Sequence, residues 1–115
     1  MGAPVTWFEI STKGSEDVSR FYAEVFDWKL EPIEGAGYTL AHPEGEHGIE
    51  GGIGEAQGPN QVTFYVEVGD PQAYLDRIEA AGGKTVVPVT ETPMVTFAQF
   101  ADPQGNVVGL VKSSE

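Results

Sequence analysis

Val62-Thr63-Phe64-Tyr65-Val66-Glu67-Val68 runs almost directly into Asp70-Pro71, and this junction decides the fold because it restarts an order the chain has already run once. Six of the first seven residues are β-branched or aromatic, the composition of a half-buried strand. Asp followed by Pro is a strong helix start: Asp accepts as N-cap, and Pro at the first helical position gives up an N–H that would have no partner anyway. Upstream, Val5-Thr6-Trp7-Phe8-Glu9-Ile10-Ser11 has the same strand character. It leads through Lys13-Gly14 to Ser15, an expected N-cap, with Glu16 and Asp17 in the first turn where the helix dipole favours acids.

Working outward, each strand–helix pair is followed by three more strand candidates. In the first half the helix carries Val18, Phe21, Tyr22 and Val25 at helical spacing. Strands follow from Trp28 and over Tyr38–Ala41, and a short apolar piece lies near Ile49–Ile53, with Gly51-Gly52-Ile53-Gly54 read as a turn. In the second half Tyr74, Ile78 and Ala81 form the helical stripe and Gly82-Gly83 ends it. Strands are expected over Lys84–Val89, Val95–Ala101 and Val107–Lys112, the last two joined by the turn Asp102-Pro103-Gln104-Gly105-Asn106. The expected fold is therefore α+β, two βαβββ modules forming curved mixed sheets with helices on the convex side and a concave cup opposite. Module one covers residues 4–54, a linker 55–60, and module two 61–113 of one domain. An open concave face is where a ligand would go.

Composition narrows the classes of function. Eighteen acidic residues against six basic ones give a formal net charge of −12, which repels phosphate backbones and argues against nucleic acid. The acids are spread along the chain, so the charge also serves as a solubilising coat. No cysteine is present, which excludes disulfides, thiolate metal sites and a cysteine nucleophile. No apolar run approaches the ~18–20 residues of a membrane span, and no signal-like start opens the sequence. The expectation is a cytoplasmic protein with no membrane partner.

Three stretches carry a family resemblance. They are Phe21-Tyr22-Ala23-Glu24-Val25-Phe26-Asp27-Trp28, then Ala80-Ala81-Gly82-Gly83-Lys84, and finally Asp102-Pro103-Gln104-Gly105-Asn106-Val107-Val108-Gly109-Leu110. Together, in this order, they resemble the vicinal-oxygen-chelate superfamily, which includes glyoxalase I, bleomycin-resistance proteins, fosfomycin-resistance enzymes and extradiol dioxygenases. The resemblance implies a βαβββ pair and a homodimer. It also implies that a metal enzyme of this kind would place ligands on the first and last strand of each module. Those positions fall on Trp7, Gly52, Thr63 and Gly109, none of which supplies an imidazole or carboxylate. No cofactor is therefore expected, unless atypical ligands such as Glu9, Glu50, Glu67 or His42 hold a divalent metal.

The expected ligand-binding residues of the cup are Trp7, Glu9, Thr63, Tyr65, Glu67, Glu50 and Gly109. Glu9 and Glu67 each stand two residues after a ligand-like position and share its face if the strands are regular. Such carboxylates could act as acid and base or hold a cation, or they could simply be solvated or ion-paired. Trp7 reads equally as a ligand contact or as packing. Rings and carboxylates together suit a small, planar or cationic organic molecule. His42 and His47 share a Gly/Pro-rich loop and read as solvated. Phe8, Ile10, Phe21, Tyr22, Phe64, Val66, Val68 and Ile78 read as core between sheet and helix. Two functions compete: a metal-independent binding protein of the bleomycin-resistance kind, and a metal-dependent lyase or dioxygenase using atypical ligands.

Overall fold

A computed structural model describes residues 2–114. The elements run β1 (Val5–Thr12), α1 (Ser15–Phe26), β2 (Lys29–Ile33), β3 (Tyr38–His42) and β4 (Glu50–Glu55). The order then repeats as β5 (Gln61–Val68), α2 (Pro71–Ala80), β6 (Lys84–Glu91), β7 (Thr96–Ala101) and β8 (Val107–Lys112). This is βαβββ twice, an α+β fold. The described residues divide into two compact units, residues 7–63 and residues 64–114 with 2–6. No helix among the described residues is long and apolar enough to cross a membrane.

In the first unit the strands lie in the order β2-β3-β4-β1, with β4 parallel to β1 and antiparallel to β3. α1 covers one face. Phe8 contacts Trp28 at 5.2 Å between ring centroids, and Trp28 stacks on Tyr22 of α1 at 5.2 Å and 9°. Ile10, Ala41 and Ile53 are buried on the same side as Phe8. Trp7 and Glu9 alternate with these and face away from the helix. Ser15 is the first helical residue rather than the cap. Gly14 occupies the cap position, in the left-handed region at φ 62°, which spares it a Cβ clash. The missing acceptor comes from Glu55 at the end of β4, whose carboxylate accepts from the backbone N–H of Gly14 and Ser15 and from the Ser15 hydroxyl. Those bonds hold the Glu55 carboxyl below its ordinary value, the Ser15 backbone N–H contributing most.

The second unit has the order β5-β8-β7-β6, with β5 and β8 parallel. Its core joins Val68, Leu75, Ala98 and Leu110, with Val66, Tyr74, Ile78, Val89 and Phe100 packed around them. Asp70 caps α2 by accepting from the Ala73 N–H at 3.2 Å, and Pro71 follows as expected. The Asp102 carboxylate ties its own turn together, accepting from the N–H groups of Gln104 and Asn106 and from the Asn106 amide. That self-contained network explains the 102–106 stretch without any further role.

Two core assignments need correction. Phe21 is 55% exposed and Phe64 43% exposed. α1 instead buries Ser19 and turns Tyr22 inward, leaving Phe21 and Val25 on its outer flank, so a four-residue apolar spacing marked the wrong side of the helix. The stretch 51–54 is likewise a strand and not a turn.

Candidate functional site

β4 explains its own composition. None of Gly51, Gly52 or Gly54 has a positive φ, so the backbone does not require glycine there. What requires it is close approach of rings on both faces. A Cβ at Gly51 would lie 2.5 Å from the Phe8 ring on the helix side. On the opposite face, a Cβ at Gly52 would strike the ring and hydroxyl of Tyr38, and one at Gly54 would lie 2.7 Å from the same ring. Tyr38 starts on β3 opposite Gly54, so its side chain crosses the bare surface of β4 towards β1.

There it meets two of the expected site residues. Trp7 Nε1 donates to the Tyr38 hydroxyl at 3.2 Å, and that hydroxyl donates to Glu9 Oε2 at 3.0 Å. An indole, a phenol and a carboxylate are thereby fixed in one line across three strands. Each of the three is partly buried.

A second polar group stands beside it. Glu50 is the register partner of Trp7, and it accepts from His42 Nδ1 at 3.0 Å. His42 Nε2 reaches Glu31 Oε1 on β2 at 3.1 Å. His42 therefore ends β3 inside a clasp and is not a solvated loop histidine. Ionised carboxylates only accept, so both ring nitrogens must carry protons to make both bonds. The clasp accordingly raises the His42 pKa, Glu50 more than Glu31, against a smaller opposing effect of desolvation. Because both carboxylates are more than half exposed, the pairs add little to stability.

The second unit repeats the construction with the roles exchanged. Tyr65 lies on β5 opposite Gly109 of β8, and a Cβ at Gly109 would run into its ring. The Tyr65 hydroxyl accepts from the Gln99 side-chain amide at 2.9 Å, Gln99 being the β7 partner of Gly109. Here the ring comes from the first strand and reaches outward, whereas Tyr38 reaches inward. Thr63 and Tyr65 are buried, and Glu67 follows on the same face of β5, partly exposed.

The seven expected residues thus fall into two sets. Trp7, Glu9 and Glu50 share a face with Tyr38 and His42, and Tyr65, Glu67 and Gly109 share one with Gln99; Thr63 precedes Tyr65 on the same face of β5. Tyr38 and Gln99 were not among the expected site residues. Their sequence signal was the glycine opposite each ring. The implied metal positions do not form a ligand set. Gly52 and Gly109 have tyrosine rings where a ligand side chain would start, Trp7 donates its only N–H to a phenol, and Thr63 is buried. Among the described residues no group of three or more His, Asp or Glu is arranged to hold a metal ion. A doubly bonded imidazole also has no lone pair to give.

The chain is 29% identical over 119 residues to CFP32 of Mycobacterium tuberculosis, a provisionally named glyoxylase, covering 95% of this chain and 45% of that one. It is 29% identical over 126 residues to the anthracycline biosynthesis protein DnrV of Streptomyces peucetius, covering 90% and 44%. It therefore spans a little under half the length of these curated relatives. In fold it is similar to methylmalonyl-CoA epimerase of Mycobacterium tuberculosis, with a TM-score of 0.68 at 13% identity over 96% of this chain and 88% of that one. Residues 7–111 match the glyoxalase-like domain, and the chain belongs to that family, within the vicinal-oxygen-chelate superfamily.

Proposed function

We propose that this domain binds a small organic molecule without a metal, on the face carrying Trp7, Tyr38 and Glu9. The observation that supports this reading is the Tyr38 ring seated on Gly52 and Gly54. It takes the space of a ligand side chain and offers an aromatic wall in its place. The wall is hydrogen-bonded to a carboxylate, so it has a fixed shape before any ligand arrives. A relative named for anthracycline biosynthesis makes a flat polycyclic compound a sensible first probe. Tyr65, Glu67, Thr63 and Gly109 are proposed as a second, equivalent surface; the family resemblance supports a homodimer, and the cysteine-free composition supports a place in the cytoplasm.

The test begins with metal. Purified protein, never exposed to chelator, is measured by elemental analysis and by thermal shift with Mn²⁺, Zn²⁺, Ni²⁺ and Fe²⁺. No stoichiometric metal and no stabilisation by these ions is expected, while an anthracycline raises the melting temperature. A tightly held, stoichiometric ion would overturn the reading in favour of a metal-dependent enzyme with atypical ligands. Light scattering on the same sample reports the oligomeric state.

A further inference from the structure

We infer that Gln99 determines specificity on the face of the second unit, and that this face takes a neutral ligand bearing a lactam or carboxamide edge. The inference rests on the second binding surface proposed above; it adds the class of ligand and the residue that reads it.

The register sets Gln99 in the middle of that face. Gly109 of β8 and Val87 of β6 are its partners on either side. Phe97 and Ala101 stand two residues before and after it on β7 and point the same way, with Val111 and Val107 opposite them on β8. A half-buried amide therefore sits among apolar side chains. The charges of the face stand off from it. Glu67 is the β5 partner of Val111, two strands from β7 and so about 10 Å across. Lys84 is the β6 partner of Ala101, displaced along the strands from the Gln99 row. The Thr90 hydroxyl, opposite Phe97, donates to the Pro88 carbonyl.

Gln99 has two N–H donors and a carbonyl oxygen. One N–H goes to the Tyr65 hydroxyl at 2.9 Å, and the other N–H and the carbonyl have no partner among the described residues. Tyr65 holds the amide in place, because its own ring is buried and seated where a Cβ at Gly109 would lie. A ligand that covers Gln99 must meet a donor and an acceptor together, since an amide left unpaired under it loses its hydration. A carboxylate brings acceptors alone and an ammonium donors alone. A hydroxyl offers both roles at one atom, which reaches only one of the two. The edge of a lactam or carboxamide carries an N–H beside a C=O and meets both. Being neutral, it also enters the apolar surround without stripping water from a charge.

The test uses two flat neutral probes, the lactam quinolin-2(1H)-one and its N-methyl derivative, which keeps the carbonyl but has no N–H. Affinities are measured by isothermal titration calorimetry. Wild-type protein is expected to bind the lactam about tenfold more tightly, the effect of one hydrogen bond together with the Gln99 carbonyl that would otherwise be left unpaired. Gln99→Met, of similar length, brings the two affinities within about twofold of each other; a preference caused only by the bulk of the N-methyl group would persist. Gln99→Leu makes the same measurement should Gln99→Met not fold. Tyr65→Phe keeps the ring over Gly109 but releases the amide, so it lowers the lactam-to-N-methyl ratio at least about threefold while the N-methyl probe binds as before; a merely structural role for Tyr65 would weaken both probes alike. Gln104→Met, at an exposed turn position, leaves the ratio at its wild-type value. Equal binding of the two probes by wild-type protein, or an unchanged ratio in the Gln99 or Tyr65 variants, overturns the inference. Wild-type protein that binds neither probe overturns it together with the second surface. The reading of the Trp7 face is judged separately by its response to an anthracycline, so either can fail without the other.

Discussion

Gly52→Ala is the sharpest probe of how β4 works. The backbone at Gly52 is not in the left-handed region, so alanine is intrinsically acceptable there and would by itself stabilise by about 0.4–1 kcal/mol through the unfolded chain. Against that, the new methyl would occupy space held by the Tyr38 ring and hydroxyl. Forcing one extra carbon into a packed site costs about 1–3 kcal/mol. Displacing Tyr38 also breaks its bonds to Trp7 and Glu9, each worth about 0.5–1.5 kcal/mol. The net expectation is a loss of about 2–4 kcal/mol, a large part of the stability of a domain this size. Urea denaturation measures it, as a lower midpoint at unchanged slope. The decisive step is the double variant: in a Tyr38→Ala background the methyl at position 52 fills vacated space. The coupling between the two substitutions should then exceed about 1.5 kcal/mol. Gly58→Ala, with nothing within 4 Å of the added methyl and no positive φ, is the neutral control. Equal cost of Gly52→Ala with and without the Tyr38 ring would refute the claim that the glycine exists for the ring.

Three further outcomes follow from the same contacts. His42 has a raised pKa, so the stability it contributes is fully present below its unfolded value of 6.5 and fades as pH climbs through the higher folded value; urea midpoints between pH 5 and 9 should show this slope, and His42→Gln should flatten it. The depressed pKa of Glu55 works in the opposite sense: its contribution is in place above 4.5 and is lost as pH falls through the lower folded value. Glu55→Gln should lower the urea midpoint at pH 7 and weaken its decline in acid, with amide exchange accelerating in the first turn of α1. Asp70→Ala removes the α2 cap and should cost about 1 kcal/mol, read as a fall of several degrees in melting temperature.

What could be read from the chain was governed by how local the chemistry is. Asp70-Pro71 and Asp102–Asn106 satisfy their own backbone groups within a few residues, so their residue types announce their structure. The alternation of β1 and β5 is equally local and separates Trp7 from Phe8, and Tyr65 from Val66, on opposite faces. The N-terminus of α1 failed as a local reading because its acceptor is Glu55, forty residues ahead of the Ser15 it caps. His42 failed for the same reason, its two carboxylates standing on β2 and β4.

The glycines of β4 and β8 make the strongest case, because here a local rule gives a wrong answer. Gly51-Gly52-Ile53-Gly54 looks like a turn when each glycine is judged by its backbone freedom. Yet no glycine in it uses that freedom, and every one is needed for a ring: Phe8 on one face, Tyr38 on the other. Gly109 stands in the same relation to Tyr65. A strand glycine without a positive φ is thus evidence of what lies above it. In both halves the bare position, Gly52 or Gly109, is one that the family resemblance marks as an expected ligand position, and in both a tyrosine from another strand lies across it. The two rings end on different partners, Glu9 with Trp7 in one half and Gln99 in the other. A glycine that clears space for a ring, and polar side chains that hold the ring's hydroxyl, are the construction common to both halves.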